Sequence, residues 1–374
     1  MKISVKIAQS YYFFLTYAIF FVILRPCCEN RMNTIGEKFS FTSFGESHGR
    51  AIGGVLDGVP AGVKIDMEMI RQALDRRAGR TPEAMRQLGD EAKGERREAG
   101  ISARAVREAD EVEWLSGVMD GVTLGTPVAF IIRNKDARSE DYEWLKHTYR
   151  IGHADRSYQE KYGIRDHRGG GRASARETAS RVVAGAIAQQ ILQEQNIRIH
   201  ARLVQVGEEK NPENFESYIA GIQRNGDSIG GIVECTITGM PTGIGEPIFD
   251  KLQAHLAFAM LSINACKGFD YGSGFEHVGK TGSEMYLTGN QTLISGGIAG
   301  GISDGTPIVF RCVFKPTASS QKTFEAIKLE TKGEKKNGRH DACVAVRAVA
   351  VVEAMAALVL ADMFGTNFGE KLQE

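Results

Sequence analysis

Between Gly152 and Leu192 the chain carries two histidines, three consecutive glycines and several arginines ahead of an alanine-rich stretch, GHADRSYQEKYGIRDHRGGGRASARETASRVVAGAIAQQIL. These residue types suit the binding and proton chemistry of an anion. Gly169-Gly170-Gly171 has no side chains to block close approach and can adopt positive φ, so its N–H groups can turn onto a phosphate or carboxylate. Arg172 and Arg176 flank the start of the helix that follows, so loop amides, a helix N-terminus and two guanidinium groups can converge on one ligand. A flexible glycine turn with solvated arginines is the alternative reading of the same residues. His153 in Gly-His-Ala-Asp and His167 beside Asp166 add imidazoles, although a histidine near an aspartate is more often structural than catalytic.

Other candidates are scattered along the chain. His48 sits in Gly45-Glu46-Ser47-His48-Gly49, where flanking glycines let the backbone fold tightly and leave an imidazole open for acid–base work. A turn histidine in water is the competing view. Asn264, in Ser262-Ile263-Asn264-Ala265, either hydrogen-bonds a ligand or caps a helix C-terminus. Lys315-Pro316-Thr317-Ala318-Ser319-Ser320 offers an ammonium, hydroxyls and N–H groups at the end of a strand. Asp341, in Gly338-Arg339-His340-Asp341, precedes a very apolar helix, as an N-cap or as a carboxylate facing a pocket.

These residues need elements to hold them. Ser174-Ala175-Arg176-Glu177 has the form of a capping box, and Val182, Val183, Ala186, Ile187 and Ile191 follow at helical spacing, predicting a helix from Ser174 to Leu192. Phe39–Val63 reads as strand, turn, strand and a Pro-Ala-Gly turn, and Asp66–Arg77 and Phe249–Ile263 as helices. Ser295–Val313 repeats the Ser-Gly start, the Gly-Thr-Pro and the apolar strand of Ser116–Ile132. Each copy is followed by a Gly-Arg pair and an Ala/Val-rich helix, at Ala175–Leu192 and Val344–Leu360, which predicts two related halves, each a sheet covered by a long apolar helix. Between Lys64 and Glu113 there is no aromatic residue, and Gly79–Arg107 reads as a solvated surface loop or as a lid whose arginines reach a ligand.

The whole chain sets limits on partners. With 374 residues and 42% hydrophobic residues it has ample material for a core. Lys plus Arg equals Asp plus Glu at 46 each, so no general field favours nucleic acid or an anionic membrane, and a small anion at a local basic site is expected. The six cysteines form no C-x-x-C pair and no zinc-like spacing, as in a reduced cytoplasmic protein, and no metal site is expected. Residues 1–31 differ from the rest: Tyr11–Leu24 is aromatic and aliphatic, yet shorter than the roughly 20 residues of a spanning helix. The expectation is a dispensable extension ahead of a single catalytic domain at 32–374, with a membrane-attached protein as the alternative.

Taken together, Gly45–Gly49, Gly152–Asp155, Gly169–Thr178, Ser262–Ala265, Lys315–Thr317 and Gly338–Asp341 closely resemble the chorismate synthase family, in the family's order and from Met32 to about Phe364. The resemblance implies a lyase of the shikimate pathway that eliminates phosphate from 5-enolpyruvylshikimate 3-phosphate to give chorismate, with reduced FMN required but not consumed and supplied by an external reductant. It implies an α+β fold, a β-α-β sandwich with central helices between antiparallel sheets and internal pseudo-twofold symmetry, assembled as a homotetramer. His48 then looks like the acid for the departing phosphate, His153 like the residue supporting the charge of the reduced flavin, and Asp341 like the carboxylate that manages the proton at its N5. Arg77 and Arg176 resemble substrate contacts. Arg172, Ala173, Ser174, Asn264, Ala265, Gly300, Lys315, Pro316, Thr317, Ala318, Ser319 and Arg339 match FMN-binding positions. Ala173 and Ala318 stand where the family often has serine, and the loop after Arg77 is longer and lacks the family's proline, which leaves open a relative that binds FMN or phosphate without turnover.

Overall fold

The computed structural model describes residues 32–80, 110–137, 139–287, 294–331 and 341–365. The extension at 1–31, nearly all of the expected loop at 78–107, and Arg339 lie outside the described residues. The described strands and helices taken up below, and the described candidate site residues, belong to the unit Gly36–Glu374.

In this unit, eight strands build two antiparallel sheets. β1 (Ser40–Phe44), β2 (Ala51–Asp57), β3 (Val112–Ser116) and β4 (Val128–Arg133) lie in the spatial order β1-β2-β4-β3. β5 (Arg198–Val206), β6 (Gly231–Thr238), β7 (Cys266–Tyr271) and β8 (Ile308–Phe314) lie in the order β7-β8-β6-β5. Each sheet buries one face, as period-two alternation requires: Val128, Phe130 and Ile132 in the first, Val233, Cys235, Ile237, Ile308, Phe310 and Cys312 in the second.

The longer helices are α1 (Met67–Ala78), α2 (Asp155–Tyr162), α3 (Thr178–Glu194), α4 (Phe215–Arg224), α5 (Leu252–Leu261), α6 (Gln321–Thr331) and α7 (Ala345–Phe364). α3 packs on β2, α7 packs on β5 and β6, and the two helices pack on each other, so they form the middle layer of a β-α-β sandwich. That position explains their composition, because a helix covered on all sides is apolar all round. The two backbones nearly touch: a Cβ built at Gly185 of α3 would fall 2.3 Å from Ala354 Cα of α7. α1 flanks α3 and α7, and α5 flanks α7. Asp66 caps α1 through its side chain, and Gly79, at φ +72°, ends it.

The internal repeat extends to individual hydrogen bonds. Read from β3 or from β7, both sheets run in the same relative order, and each carries a short two-stranded ribbon, Val118–Met119 with Val122–Thr123 and Ile298–Ala299 with Ile302–Ser303. In the first half Thr123 Oγ1 donates to Pro60 O at 2.6 Å and Gly62 N–H donates to Thr123 O at 2.8 Å. In the second, Ser303 Oγ donates to Pro241 O at 2.6 Å and Gly243 N–H to Ser303 O at 3.0 Å. The two halves predicted from the Ser-Gly and Gly-Thr-Pro repeats are therefore present.

Some local expectations change. Ser174 accepts from Arg176 N–H at 3.3 Å and caps a 3-10 turn, Ala175–Glu177, so the α-helix proper starts at Thr178. Glu177 turns to Arg181 at 3.0 Å instead of back to the cap, so no reciprocal box forms. Asp341 does not cap α7, whose first turn has no side-chain cap. α2, β7 and α6 went unpredicted, being short or interrupted by charged residues.

Candidate active site

The turn that holds His48 is pinned from several sides. Gly45 leaves β1 at φ +91°, and a Cβ there would fall 2.3 Å from Ala51 O, so only glycine fits. Asn134, just past β4, donates Nδ2 to Glu46 O at 3.0 Å and Gly49 O at 2.9 Å, and its Oδ1 accepts from Arg176 Nε at 3.0 Å. Arg172 donates to Gly45 O at 3.1 Å and to the carbonyl and hydroxyl of Ser43. His48 itself is buried, 8% exposed, with Nδ1 3.2 Å from Ser47 Oγ and its ring edge-on to Tyr142 at 4.9 Å.

His153 belongs to a second charged cluster. Its Nδ1 lies 2.8 Å from Asp155 Oδ1, and Arg150 grips the same carboxylate with Nε and Nη2, each at 2.8 Å. Burial pushes the imidazole below its usual pKa, the Asp155 hydrogen bond opposes that, and Arg150 and Lys315 add to it. Burial alone would raise Asp155, but the bonds from Arg150 and His153 hold it well below the carboxylate range.

The glycine run fits between these two imidazoles. A Cβ at Gly169 would lie 2.2 Å from His48 Cε1 and Nδ1, and one at Gly170 would lie 2.8 Å from His153 Cε1 and 2.9 Å from Arg150 Nη2. All three glycines have positive φ, +61°, +88° and +53°. Ser47 N–H reaches Gly171 O at 3.4 Å. The run allows close approach of protein side chains, and these include the two candidate catalytic imidazoles.

Behind the turn lies a buried ion network. Arg77, 1% exposed, donates Nε to Thr178 Oγ1 at 3.0 Å and Nη2 to Ala175 O at 2.8 Å, with Nη1 3.4 Å from Asp110 Oδ2. Arg176 Nη1 bonds the other oxygen of Asp110. Burial raises Asp110 and the two arginines more than reverse that, leaving it ionised. Burial and the nearby Arg347 weigh against charge on Arg77, yet a guanidinium is basic enough to stay protonated. Arg347 Nε donates to Arg77 O at 3.2 Å and Nη1 to Asp341 Oδ2 at 2.8 Å, so Asp341, 8% exposed, is tied to the same network. Arg77 and Arg176 are therefore both engaged with protein groups.

The remaining candidates gather mostly at the ends of β7 and β8. Lys315 N–H donates to Ala265 O at 3.0 Å, and Lys315 Nζ donates to Gly152 O at 2.6 Å, joining this edge to the His153 loop. Ala265 has φ +67°, and Gly152 faces Ala318 Cβ, 3.8 Å from where its own Cβ would be. Helix α5 is closed by Ser262, so Asn264 is not its cap; Asn264 Oδ1 and Thr317 Oγ1 are buried without a hydrogen-bond partner. Pro316 is exposed and Ser319 buried beside them, while Ala173 and Ser174 lie in the turn after the glycine run. Gly300 stands apart from Asn264: its ribbon accepts the Leu252 N–H at 2.8 Å through Gly301 O, at the opposite end of α5.

Asp110, Asn134, Arg150, Asp155 and Arg347 escaped the sequence reading. A signal existed for Asp155, two residues after His153. None existed for Asp110 or Asn134, whose partners are far away in the chain.

A sandwich whose glycine run is wedged between one buried and one half-buried imidazole, with a carboxylate at the head of the second central helix, is an arrangement suited to acid–base chemistry. The chorismate synthase family model matches residues 39–364. Similar proteins include chorismate synthases of Christiangramia forsetii, 46% identical over 91% of this chain and 99% of that one, and Cytophaga hutchinsonii, 45% identical over 90% and 98%. A crystal structure of chorismate synthase superposes with a TM-score of 0.65 and 29% identity, covering 90% of this chain and 94% of that one. The chain belongs to the chorismate synthase family and is a lyase of the shikimate pathway to the aromatic amino acids.

Proposed function

We propose that the elimination of phosphate from 5-enolpyruvylshikimate 3-phosphate, which yields chorismate, takes place along the seam from His48 through Gly169 and Gly170 to His153, with reduced FMN bound beside it. The observation that carries this reading is the glycine run in close contact with both imidazoles. The residues present fit a flavin phosphate and ring: Asn264 Oδ1 and Thr317 Oγ1 are buried polar atoms without partners, and Lys315 supplies a cation next to them. Asn264, Ala265, Lys315, Pro316, Thr317, Ala318 and Ser319 would hold the cofactor, with Arg172, Ala173, Ser174 and Arg339 as further contacts, while Gly300, at the other end of α5, is not brought to this group within the chain. Reduced FMN, when bound, supplies the electron density that a 1,4-elimination without an acidified C–H lacks.

The protein's own share is acid–base placement. The allylic C–O bond to phosphate breaks, a ring hydrogen on the opposite face is lost, and a second ring double bond forms. His48, buried against Tyr142, gives its proton to the departing phosphate oxygen. His153, whose basicity burial lowers, takes up charge beside a bound anion. Asp341, positioned by Arg347 at the head of α7, is the residue that takes up the ring proton. Arg77 and Arg176 act on the substrate through the shape they impose on the site as well as by their field, since their guanidinium groups already bind Asp110.

A homotetramer is supported by apolar side chains left in solvent: Phe249, Phe258 and Phe275 are 91%, 66% and 84% exposed. No helix among the described residues is long and apolar enough to cross a membrane. In this reading the enzyme acts in the cytoplasm and an external reductant supplies the reduced flavin. The test is an anaerobic assay of the Met32–Glu374 chain with oxidised or chemically reduced FMN. Product with reduced FMN alone is expected, and His48→Ala or His153→Ala should lower turnover about 10²-fold or more. A folded protein that binds FMN and makes no product would instead favour a relative without turnover.

A further inference from the structure

Asp155 is the first residue of α2 and is almost wholly buried, so its carboxylate is stabilised by the helix end as well as by its neighbours. Arg150 meets it with two side-chain donors at 2.8 Å and with its own N–H at 3.1 Å. His153 Nδ1 stands 2.8 Å from Asp155 Oδ1. An ionised carboxylate can only accept, so a lone pair on Nδ1 at that distance would set two acceptors against each other. Arg150 Nη2, 3.1 Å from Nδ1, is a competing donor, because only one of its two N–H groups is used by Asp155 Oδ1, but its contact with Nδ1 is the longer one, against 2.8 Å to Asp155. The charge-assisted bond from Nδ1–H to Asp155 is the stronger arrangement.

A second arginine stands behind the first. Arg165 has a side chain only 4% exposed, with Nη1 3.9 Å from Asp155 Oδ1 and its guanidinium over Tyr149 at 5.1 Å. Its Nη2 binds Thr148 O at 3.1 Å and Leu145 O, while Nε and Nη1 have no hydrogen-bond partner. Two buried guanidinium groups therefore face one buried carboxylate. Lys315 adds a further cation through Gly152 O, and the glycine run closes the remaining side of His153 with backbone alone.

We propose that Asp155 is a positioning residue that fixes His153 as the Nδ1–H tautomer, leaving Nε2 as a proton acceptor, and that Arg150 and Arg165 make protonation of His153 depend on a bound anion. Part of this rests on the reading of His153 as the residue that supports the flavin's charge. Burial first, and then the charges of Arg150 and Lys315, depress the basicity of His153 in the free chain. When an anion binds next to Nε2, the balance reverses and the imidazole takes a proton with Asp155 already in place to stabilise it.

The experiment is NMR of the full chain labelled with 15N-histidine, with the His153 signals assigned by His153→Gln. Neutral His153 is expected to carry its proton on Nδ1, and addition of chemically reduced FMN under anaerobic conditions should raise its pKa. Asp155→Asn should give a mixture of tautomers and lower kcat about 10-fold to 10²-fold with a smaller change in KM, and Asp155→Glu should restore part of both. Arg150→Gln should raise the pKa of His153 in the free chain. A proton on Nε2 in the wild type, or a tautomer ratio unchanged in a folded Asp155→Asn, overturns the positioning role. A pKa unchanged by reduced FMN overturns the coupling to an anion. Wild-type turnover by His153→Gln would remove the functional reading of His153 and leave the tautomer assignment standing, so the two failures can be told apart.

Discussion

Replacing Gly169 by alanine tests the link between the glycine run and His48 more directly than removing the histidine. The added Cβ would lie 2.2 Å from His48 Cε1 and Nδ1 and 3.0 Å from Ser47 Oγ, well inside van der Waals contact. The backbone there has φ +61°, where an L side chain costs about 1–2 kcal/mol. The imidazole is the end of a side chain and can swing, but it is buried against Tyr142, so relief of the clash displaces it from its place in the site. A displacement of about 1 Å at an acid–base group costs on the order of 10²-fold in rate. Gly163 supplies the control: it has φ +73°, and an alanine Cβ there meets nothing within 4 Å. Both variants should lose about 1–2 kcal/mol of stability in denaturant titration through backbone strain. Only Gly169→Ala should lose turnover of about 10²-fold in anaerobic phosphate release with saturating reduced FMN. Wild-type kcat in a folded Gly169→Ala, or equal losses in both variants, would refute the idea that this glycine is required to seat His48.

Asp110→Asn removes the carboxylate that Arg77 and Arg176 share and should destabilise the fold by about 3–5 kcal/mol, measured as a shift of the urea midpoint. Gly185→Ala, which in an ordinary helix would gain up to about 1 kcal/mol, should instead lose about 1–3 kcal/mol because the methyl group meets Ala354. Asn264→Ala should weaken FMN binding about 10-fold by fluorescence titration while leaving the free chain as stable or more so, since it deletes a buried oxygen without a partner. His153 has a folded pKa below its unfolded value, so the unfolded chain binds the extra proton. Stability from this group is present above about pH 6.5 and lost as pH falls through the folded pKa, and His153→Gln should flatten that part of the thermal stability profile. Asp155, also depressed, adds a second loss below about pH 4 that the variant should keep.

How much of this could be read from the chain differs by element. The central helices were legible because covering an α-helix on every side demands mostly apolar residues around the circumference, and Val182–Leu192 and Ala345–Leu360 have them apart from buried Gln190, Arg347 and Glu353. The two halves were legible because the turns that dock the ribbons need glycine and proline at fixed places, and both copies keep them. The helix start at Thr178 was not, since Ser174 does cap a turn, only a tighter one, and Glu177 finds Arg181 a better partner than the cap. The motifs named His48, His153 and Asp341, but each one's immediate partner came from geometry. Asp110 lies 33 residues from Arg77 and 66 from Arg176, and no local pattern connects them.

The repeat also clarifies why the site is lopsided although the scaffold is not. Corresponding ribbons, turns and strands recur in both halves down to single hydrogen bonds, so the symmetric part is the part that sets backbone position. The chemistry departs from that symmetry. Ahead of α3 three glycines leave room for His48 and His153, whereas ahead of α7 Asp341 is fixed by Arg347. Arg347 also binds the carbonyl of Arg77, whose side chain reaches Asp110 and, through it, Arg176 and Asn134 at the His48 turn. The first half thus presents the two imidazoles and the second half presents the carboxylate, and a continuous run of buried charge holds the two contributions in register. A duplicated scaffold that stayed symmetric in its side chains would place like groups opposite each other, and an elimination needs a proton donor on one side and an acceptor on the other.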